Sequence, residues 1–439
     1  MDHAEKILGL GWNELPMAVR AQAKRCLKDI IATAAGSLAL PSAAQAEALV
    51  STQFGRGGIP LLFQRTRTTF AGAAFGNALR VDSLDCHDGF RPNKGHAGAT
   101  VVPVALAAAQ GRAASGAELL TAIVIGYEIA CRAGLAIHGM STPAFHGSGS
   151  WAAVGAAAAG ARIRSVPASR IDSVLGAAEY YGPMSPILRC TANPSIVKDG
   201  AAAGAWAAAI ALAMGENGMT GLPSLFVDEP LGRRQIASFG QDWMILRQYF
   251  KLYPTCRWTH PPVEGLAALQ REHGFQPREV ESIEVESFAE AGTLMRFPPE
   301  HSDGAQYCLP WAVAAMLVDE KLGVGQILPS RFSDQRILDL GRRVSFRAAP
   351  DIQARFPEEC LARVTVALRD GRRFTGPTVG ARGDHTNPAA DEEMEDKFTR
   401  LVAGSLGERA CRILRGTIDS LERRPARDLL DLLGRGKGQ

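Results

Sequence analysis

Paired cysteines, unbroken apolar runs, a dominant charge sign and histidines are all scarce in this chain, and each scarcity excludes something. The eight cysteines (Cys26, Cys86, Cys131, Cys190, Cys256, Cys308, Cys360 and Cys411) are scattered, with no C-x-x-C pair. That spacing argues against a zinc ribbon or a disulfide framework. It fits free thiols used as small apolar residues in a reducing compartment, hence a cytoplasmic location. The formal net charge is only +3 over 439 residues, with Lys and Arg dispersed. Nothing like a nucleic-acid-binding stripe is present, although a local basic pocket for a small anion remains open. The longest apolar stretches are Ala-rich and broken by glycine, which argues against a membrane span. The opening MDHAEKILGLGWNELP contains acidic residues and no apolar core, so it does not read as a signal peptide.

What is there is enough apolar material for a packed core: 46% hydrophobic and 21% charged residues. The length predicts two or three domains. From about residue 15 to 265 the chain reads as successive helices. PMAVRAQAKRCLKDIIATAAGSLAL, GAELLTAIVIGYEIACRAGLAI and DGAAAGAWAAAIALAMGENG carry apolar residues three and four apart, rich in Ala and Gly. Small residues let helices approach closely, so a tight bundle is expected. Near residue 275 the period changes to two in REVESIEVESF. ARVTVALRDGRRFTG predicts a hairpin around Asp370-Gly371, RRVSFRAAPD a further strand, and YCLPWAVAAMLVDEKLG a helix. The reading is a mainly α protein with a smaller α+β domain. Residues 1–265, completed by C-terminal helices over 391–439, form the helical domain, and residues 266–390 form the α+β unit.

Only nine histidines occur, yet two fall in SLDCHDGFRPNKGHAGAT, residues 83–100. GSGSWA, from Gly147, fits a dinucleotide fingerprint, but HGMSTPAF before it contains Pro143 and does not read as the required strand. Tight turning and close helix packing explain those glycines better. Asp85, His87, Asp88 and His96 offer metal-ligating atoms without a recognised zinc spacing, so no metal is expected. Cys86 beside His87, and Cys256 beside Arg257, are neighbours in sequence, which is not the geometry of a nucleophile with its base. The remaining pattern is acid/base work on an anion. The segment from Asp85 to His96, AFHGSG with His146, ILRCTANPSIVKDG with Arg189 and Lys198, and KLYPTCRWTHPP with Lys251, Arg257 and His260 each place titratable and cationic groups at helix ends. Helix-end loops of that kind can hold and deprotonate a small polycarboxylate.

Read together, these segments resemble the MmgE/PrpD family across essentially the whole length. GNALRVDSLDCHDGFRPNKGHAGATVVPVALAAAQ, GYEIACRAG, FHGSGSWAAVGAAAA, IVKDGAAAGAWAAAIALAMGENGMTG, YPTCRWTHPPVEGLAAL and GDHTNPAADEEMEDKF follow the opening helix in family order. The resemblance implies an all-helical domain with an α+β lid, an active site in the cleft, a homodimer, and no metal or organic cofactor. It implies Asp85, His96, Lys198 and His260 as catalytic residues, with His96 and His260 as the acid/base pair. The expected substrate-binding residues are His87, Lys94, His146, Arg189, Lys251 and Arg257, of which the resemblance itself carries His146, Lys251 and Arg257.

The implied reaction is proton transfer at a carbon α to a carboxylate of a small di- or tricarboxylate. Removing that proton builds up enediolate charge that cations must face, and a guanidinium can grip a carboxylate with two bonds. The first expectation is a lyase, either dehydratase or decarboxylase. The alternatives are an epimerase of the iminodisuccinate type and a non-catalytic carboxylate-binding protein. Four positions depart from the family pattern: His87, Gly89, where a threonine hydroxyl is usual, Ala97, in a turn where proline is usual, and Trp311, where a tyrosine is frequent.

Overall fold

Alanine and glycine at helical spacing let the helices of the first half pack almost backbone to backbone. In the computed structural model, which describes residues 3–140 and 145–436, the helices Phe70–Leu84, Gly98–Ala109, Gly116–Met140, Ser148–Ile163, Ile171–Tyr181 and Ala201–Glu216 form one bundle. A methyl group on Gly149 would run into the Gly200 carbonyl, and one on Gly204 into Gly149. GSGSWA is therefore a helix start and a packing seam: Gly147 caps the Ser148–Ile163 helix. Pro143, in the stretch before it, lies outside the described residues. The Gly116–Met140 helix is long and apolar enough to cross a membrane, but 94% of its apolar window is buried within the bundle. It is a core helix of the fold.

The period-two segments form one mixed sheet. Val280–Ser287 pairs parallel with Val344–Ala348 and antiparallel with Leu361–Leu368. Leu361–Leu368 turns through Asp370-Gly371 into Arg373–Thr375, with Gly371 at φ +89°, and its other end pairs with Val379–Gly380. The left-handed backbone at that turn is what glycine supplies. The helix His260–His273 packs on the strand Leu361–Leu368, so the domain boundary expected at 265/266 falls inside a helix that lies against the sheet. The architecture is mainly α with a smaller α+β part, as expected.

The C-terminal helix Asp391–Leu406 returns to lie along Met17–Gly36. The two are joined by Lys397, whose Nζ lies 2.5 Å from Asp29 Oδ1 and donates also to the Cys86 carbonyl. Both side chains are buried. A charge removed from water needs such a partner, and here the pair also anchors the backbone of the 85–96 segment. A two-residue antiparallel bridge, Gly89–Phe90 with Gln248–Tyr249, completes that anchoring. Sequence periodicity does not foresee it.

Candidate active site

A cavity of about 480 Å³ lies between the bundle and the α+β part. His96 and Lys94 reach it from the first segment, Asp199 from the start of the Ala201–Glu216 helix, Lys251 and Arg257 from the 248–260 segment, and Phe356 from the α+β side. A larger groove of about 1270 Å³ runs outside, between Met17–Gly36 and Asp391–Leu406. None of the expected site residues lines that groove.

Three of the six non-glycine residues with positive φ, among the described residues, are expected site residues: Asp85 (φ 53°), Lys94 (φ 54°) and Lys198 (φ 40°). Left-handed backbone at such residues costs on the order of 1–3 kcal/mol each and persists only where surrounding structure holds it. Asp85 ends the Phe70–Leu84 helix in this conformation. Its carboxylate thereby meets the Lys251 ammonium in a fully buried ion pair. Burial alone would raise the Asp85 carboxyl, but Lys251 and then Lys198 hold it below the usual carboxylate range.

His96 is the best-defined group in the cavity floor. Its Nδ1 is hydrogen-bonded to the Asp88 carbonyl. A carbonyl only accepts, so Nδ1 carries the proton and Nε2 keeps its lone pair. Nε2 faces Asp199 Oδ2 at 3.5 Å. The backbone N–H of His96 donates to Ser148 Oγ at 2.8 Å, fixing the residue against the bundle. Burial, His87 and Lys251 push the imidazole well below its ordinary value, so it stays neutral. Asp199 moves the other way: burial first, then Asp82 and Asp85, raise its carboxyl well above the ordinary value. An imidazole pushed towards its neutral form and a carboxyl pushed towards its protonated form therefore stand side by side.

Of the residues expected from the sequence, the structure gathers His96, Lys94, Lys251 and Arg257 around the cavity, with Asp85 buried directly beneath Lys251. The others require correction. His87 does not line the cavity. It packs edge-on behind His96 with ring centroids 4.3 Å apart, and burial drives it to about 3. It supports His96 instead of holding substrate. His260 is also absent from the lining. Its Nε2 points at the Thr255 carbonyl at 3.3 Å, because the first turn of its helix turns the ring into the core. The group that faces His96 Nε2 is thus Asp199, not His260. His146 is half-buried beside His138, while its neighbour Phe145 lines the cavity. Arg189 is exposed on the outer side of the short Leu188–Ala192 helix and borders a separate cavity of about 320 Å³. Lys198 borders that smaller cavity too. Its ammonium is bonded to Gln306 Oε1 and lies 3.3 Å from Asp303, over the ring of Tyr307.

Sequence reasoning missed Asp199, Tyr249, Tyr307 and Asp384, all of which line the cavity. Lys198-Asp199 looks like an ordinary solvated helix start, yet both residues are only 5% exposed. Tyr249 explains the Gly89 departure. The two residues face each other across the short bridge, and a Cβ on Gly89 would overlap the Tyr249 ring and hydroxyl and press on His96 Nδ1. Glycine is required there because tyrosine occupies the space. Trp311 is a core residue, with Nε1 donating to the Gln326 carbonyl at 2.8 Å. The same segment's Tyr307 is the one that reaches the cavity. The cavity-lining Cys256 thiol is pushed up to about 12 by burial, so it is no thiolate nucleophile.

A different cluster from the one the sequence suggested could in principle take a metal. Asp85, His96 and Asp199 each offer one ligand atom within 4.8 Å of the others. The Lys251 ammonium already holds Asp85 Oδ1. An ion would have to share that carboxylate with a buried positive charge, which Coulomb repulsion opposes.

Residues 2–245 match the MmgE/PrpD N-terminal domain and residues 253–423 the MmgE/PrpD C-terminal domain. The chain is 24% identical over 391 residues to a cis-aconitate decarboxylase of Aspergillus terreus, covering 80% of this chain and 78% of the relative. It is 25% identical over 348 residues to the human cis-aconitate decarboxylase, covering 74% and 71%. It is 21% identical to the cis-aconitate decarboxylase-like protein oryM of Aspergillus oryzae, covering 97% and 95%. With both domains matched in order around one shared cavity, the chain belongs to the MmgE/PrpD family.

Proposed function

We propose that this protein is a lyase that acts on a small carboxylic acid by moving a proton at the carbon α to a carboxylate. The observation that carries this reading is the His96–Asp199 pair: a buried imidazole whose Nδ1 is bonded to a carbonyl, with its Nε2 3.5 Å from a buried carboxyl, burial pushing the first down and the second up. Two titratable groups driven apart in pKa are the arrangement acid/base chemistry needs near neutrality.

In a dehydration, His96 Nε2 takes the α-proton and the C–H electron pair becomes the new C=C bond. Hydroxide departs as water with the Asp199 proton. In a decarboxylation, the C–CO₂ bond breaks and leaves its electron pair on the α-carbon, which then takes up a proton from the same pair. Both routes build negative charge next to a carboxylate, and Lys251, buried beneath the floor, faces that charge. Arg257 and Lys94 are placed to hold carboxylates. The names of the relatives favour decarboxylation. The reading includes a homodimer and a cytoplasmic enzyme with no organic cofactor.

The test is to incubate purified protein with cis-aconitate, 2-methylcitrate and iminodisuccinate in D₂O and follow proton NMR. New or vanishing alkene signals, with or without CO₂ release, support the lyase. Deuterium wash-in with no other change points to an epimerase. Absence of both with these acids and with alkyl- or aryl-substituted unsaturated and hydroxy dicarboxylates refutes the proposal.

A further inference from the structure

The cavity is too large and too apolar for a bare six-carbon triacid. Such a molecule has about a dozen non-hydrogen atoms, on the order of 200 Å³ if each fills somewhat over half of water's roughly 30 Å³ share. The cavity holds about 480 Å³. Beyond the polar floor, its wall is built from Phe145, Pro186, Ile187, Leu188, Trp258 and Phe356. The aromatic part of that wall is braced: Phe356 stacks on Phe288 at 4.2 Å, and Trp258 meets Phe288 edge-on at 5.3 Å. A wall held in this way does not collapse to fill the space around a small ligand.

The charges point the same way. Four basic side chains line the cavity: Arg91, Lys94, Lys251 and Arg257. Lys251 is matched by Asp85, and Arg91 and Arg257 share Asp384. Among the described residues, Lys94 has no carboxylate in ion-pair contact. Its Nζ donates to the Pro357 carbonyl at 2.9 Å. Roughly two positive charges are left uncompensated by these pairings, and Asp199 and Glu290 add further acidic groups to the lining. That suits one or two substrate carboxylates better than three.

We infer that the natural substrate is a dicarboxylate bearing an apolar substituent, an alkyl chain of several carbons or an aryl ring, which lies against Ile187, Leu188, Trp258 and Phe356. The inference rests on the α-proton reading of the same site and specifies its substrate class. The carboxylates sit at the Lys94, Lys251 and Arg257 end, and the substituent excludes water from the rest of the cavity. Each methylene buried should strengthen binding about fourfold.

Calorimetric binding of unreactive acids tests this without requiring turnover. The series is succinate, methylsuccinate, butylsuccinate, hexylsuccinate, benzylsuccinate and propane-1,2,3-tricarboxylate. The inference expects affinity to climb along the alkyl series, with hexylsuccinate and benzylsuccinate at least tenfold tighter than both succinate and the triacid. Ile187→Trp should cut the hexylsuccinate-to-succinate affinity ratio at least tenfold. Cys360→Phe, which narrows the same cavity from the α+β side, provides the check should Ile187→Trp not fold. A flat series, or the triacid binding tightest, overturns the inference even if lyase activity on an unsubstituted acid is found. A climbing series from a protein that reacts with none of the matching unsaturated or hydroxy acids upholds the pocket assignment and refutes the α-proton reading instead.

Discussion

His96 is held from both sides of its ring: the Asp88 carbonyl takes the Nδ1 proton, and Asp199 Oδ2 stands 3.5 Å from Nε2. The first contact sets which nitrogen is the base. The second brings a buried carboxyl to the same nitrogen. Replacing His96 with Gln should lower kcat by about 10²- to 10⁴-fold, the usual worth of a positioned base, while calorimetry still detects carboxylate binding. Asp199→Asn keeps the shape but removes the proton and should also depress kcat more than it raises KM. Steady-state kinetics of the two variants checks both statements.

The pH profile follows from the direction of the His96 shift. A base works only when unprotonated, and burial together with His87 and Lys251 keeps this one unprotonated below its ordinary 6.5. The acid limb of kcat/KM should therefore fall below pH 6.5, with activity flat from there towards neutrality. An acid limb at or above 6.5 would mean that another group is the base.

Gly89 and Tyr249 compete for one volume. Gly89→Ala should cost at least tenfold in kcat/KM by displacing the Tyr249 ring and pressing on His96. Adding Tyr249→Leu should relieve the overlap, so the double variant should have a smaller defect than the sum of the two singles. Additive defects would show that the two side chains do not meet.

Lys397 ties the Asp391–Leu406 helix to Met17–Gly36 and holds the Cys86 carbonyl behind the site. Lys397→Met leaves the Asp29 carboxylate buried without its cation and should destabilise the protein by about 3 kcal/mol, at the low end for a broken buried pair because Asp29 can take up a proton. Changing Asp29 to Leu in the same chain should recover much of that loss in a denaturant titration. A single variant as stable as the parent contradicts the role given to the pair.

The sequence carried the helices, the Asp370-Gly371 hairpin and the family resemblance, because each is written in local periodicity, turn chemistry or ordered motifs. What it could not carry are contacts closed only by folding. Gly89 and Tyr249 pair in a two-residue bridge far too short to show alternation, between segments with five long helices in the chain between them, among the described residues. Asp199 follows Lys198 at a helix start, where charge is normally solvated, and only burial distinguishes it. His260 has the right chemistry and the right neighbourhood in sequence, but the turn that begins its helix directs the ring to Thr255. Residue type and motif therefore named the segments that build the site, while side-chain direction decided which members face the cavity.

The central claim is that His96 exchanges a proton with the substrate's α-carbon. The direct measurement is a turnover in D₂O, followed by NMR, with wild-type protein and with His96→Gln. Wild-type protein should place one solvent deuterium at the α-carbon of recovered substrate or product, and the variant none above background. Equal deuterium incorporation by both proteins would contradict it.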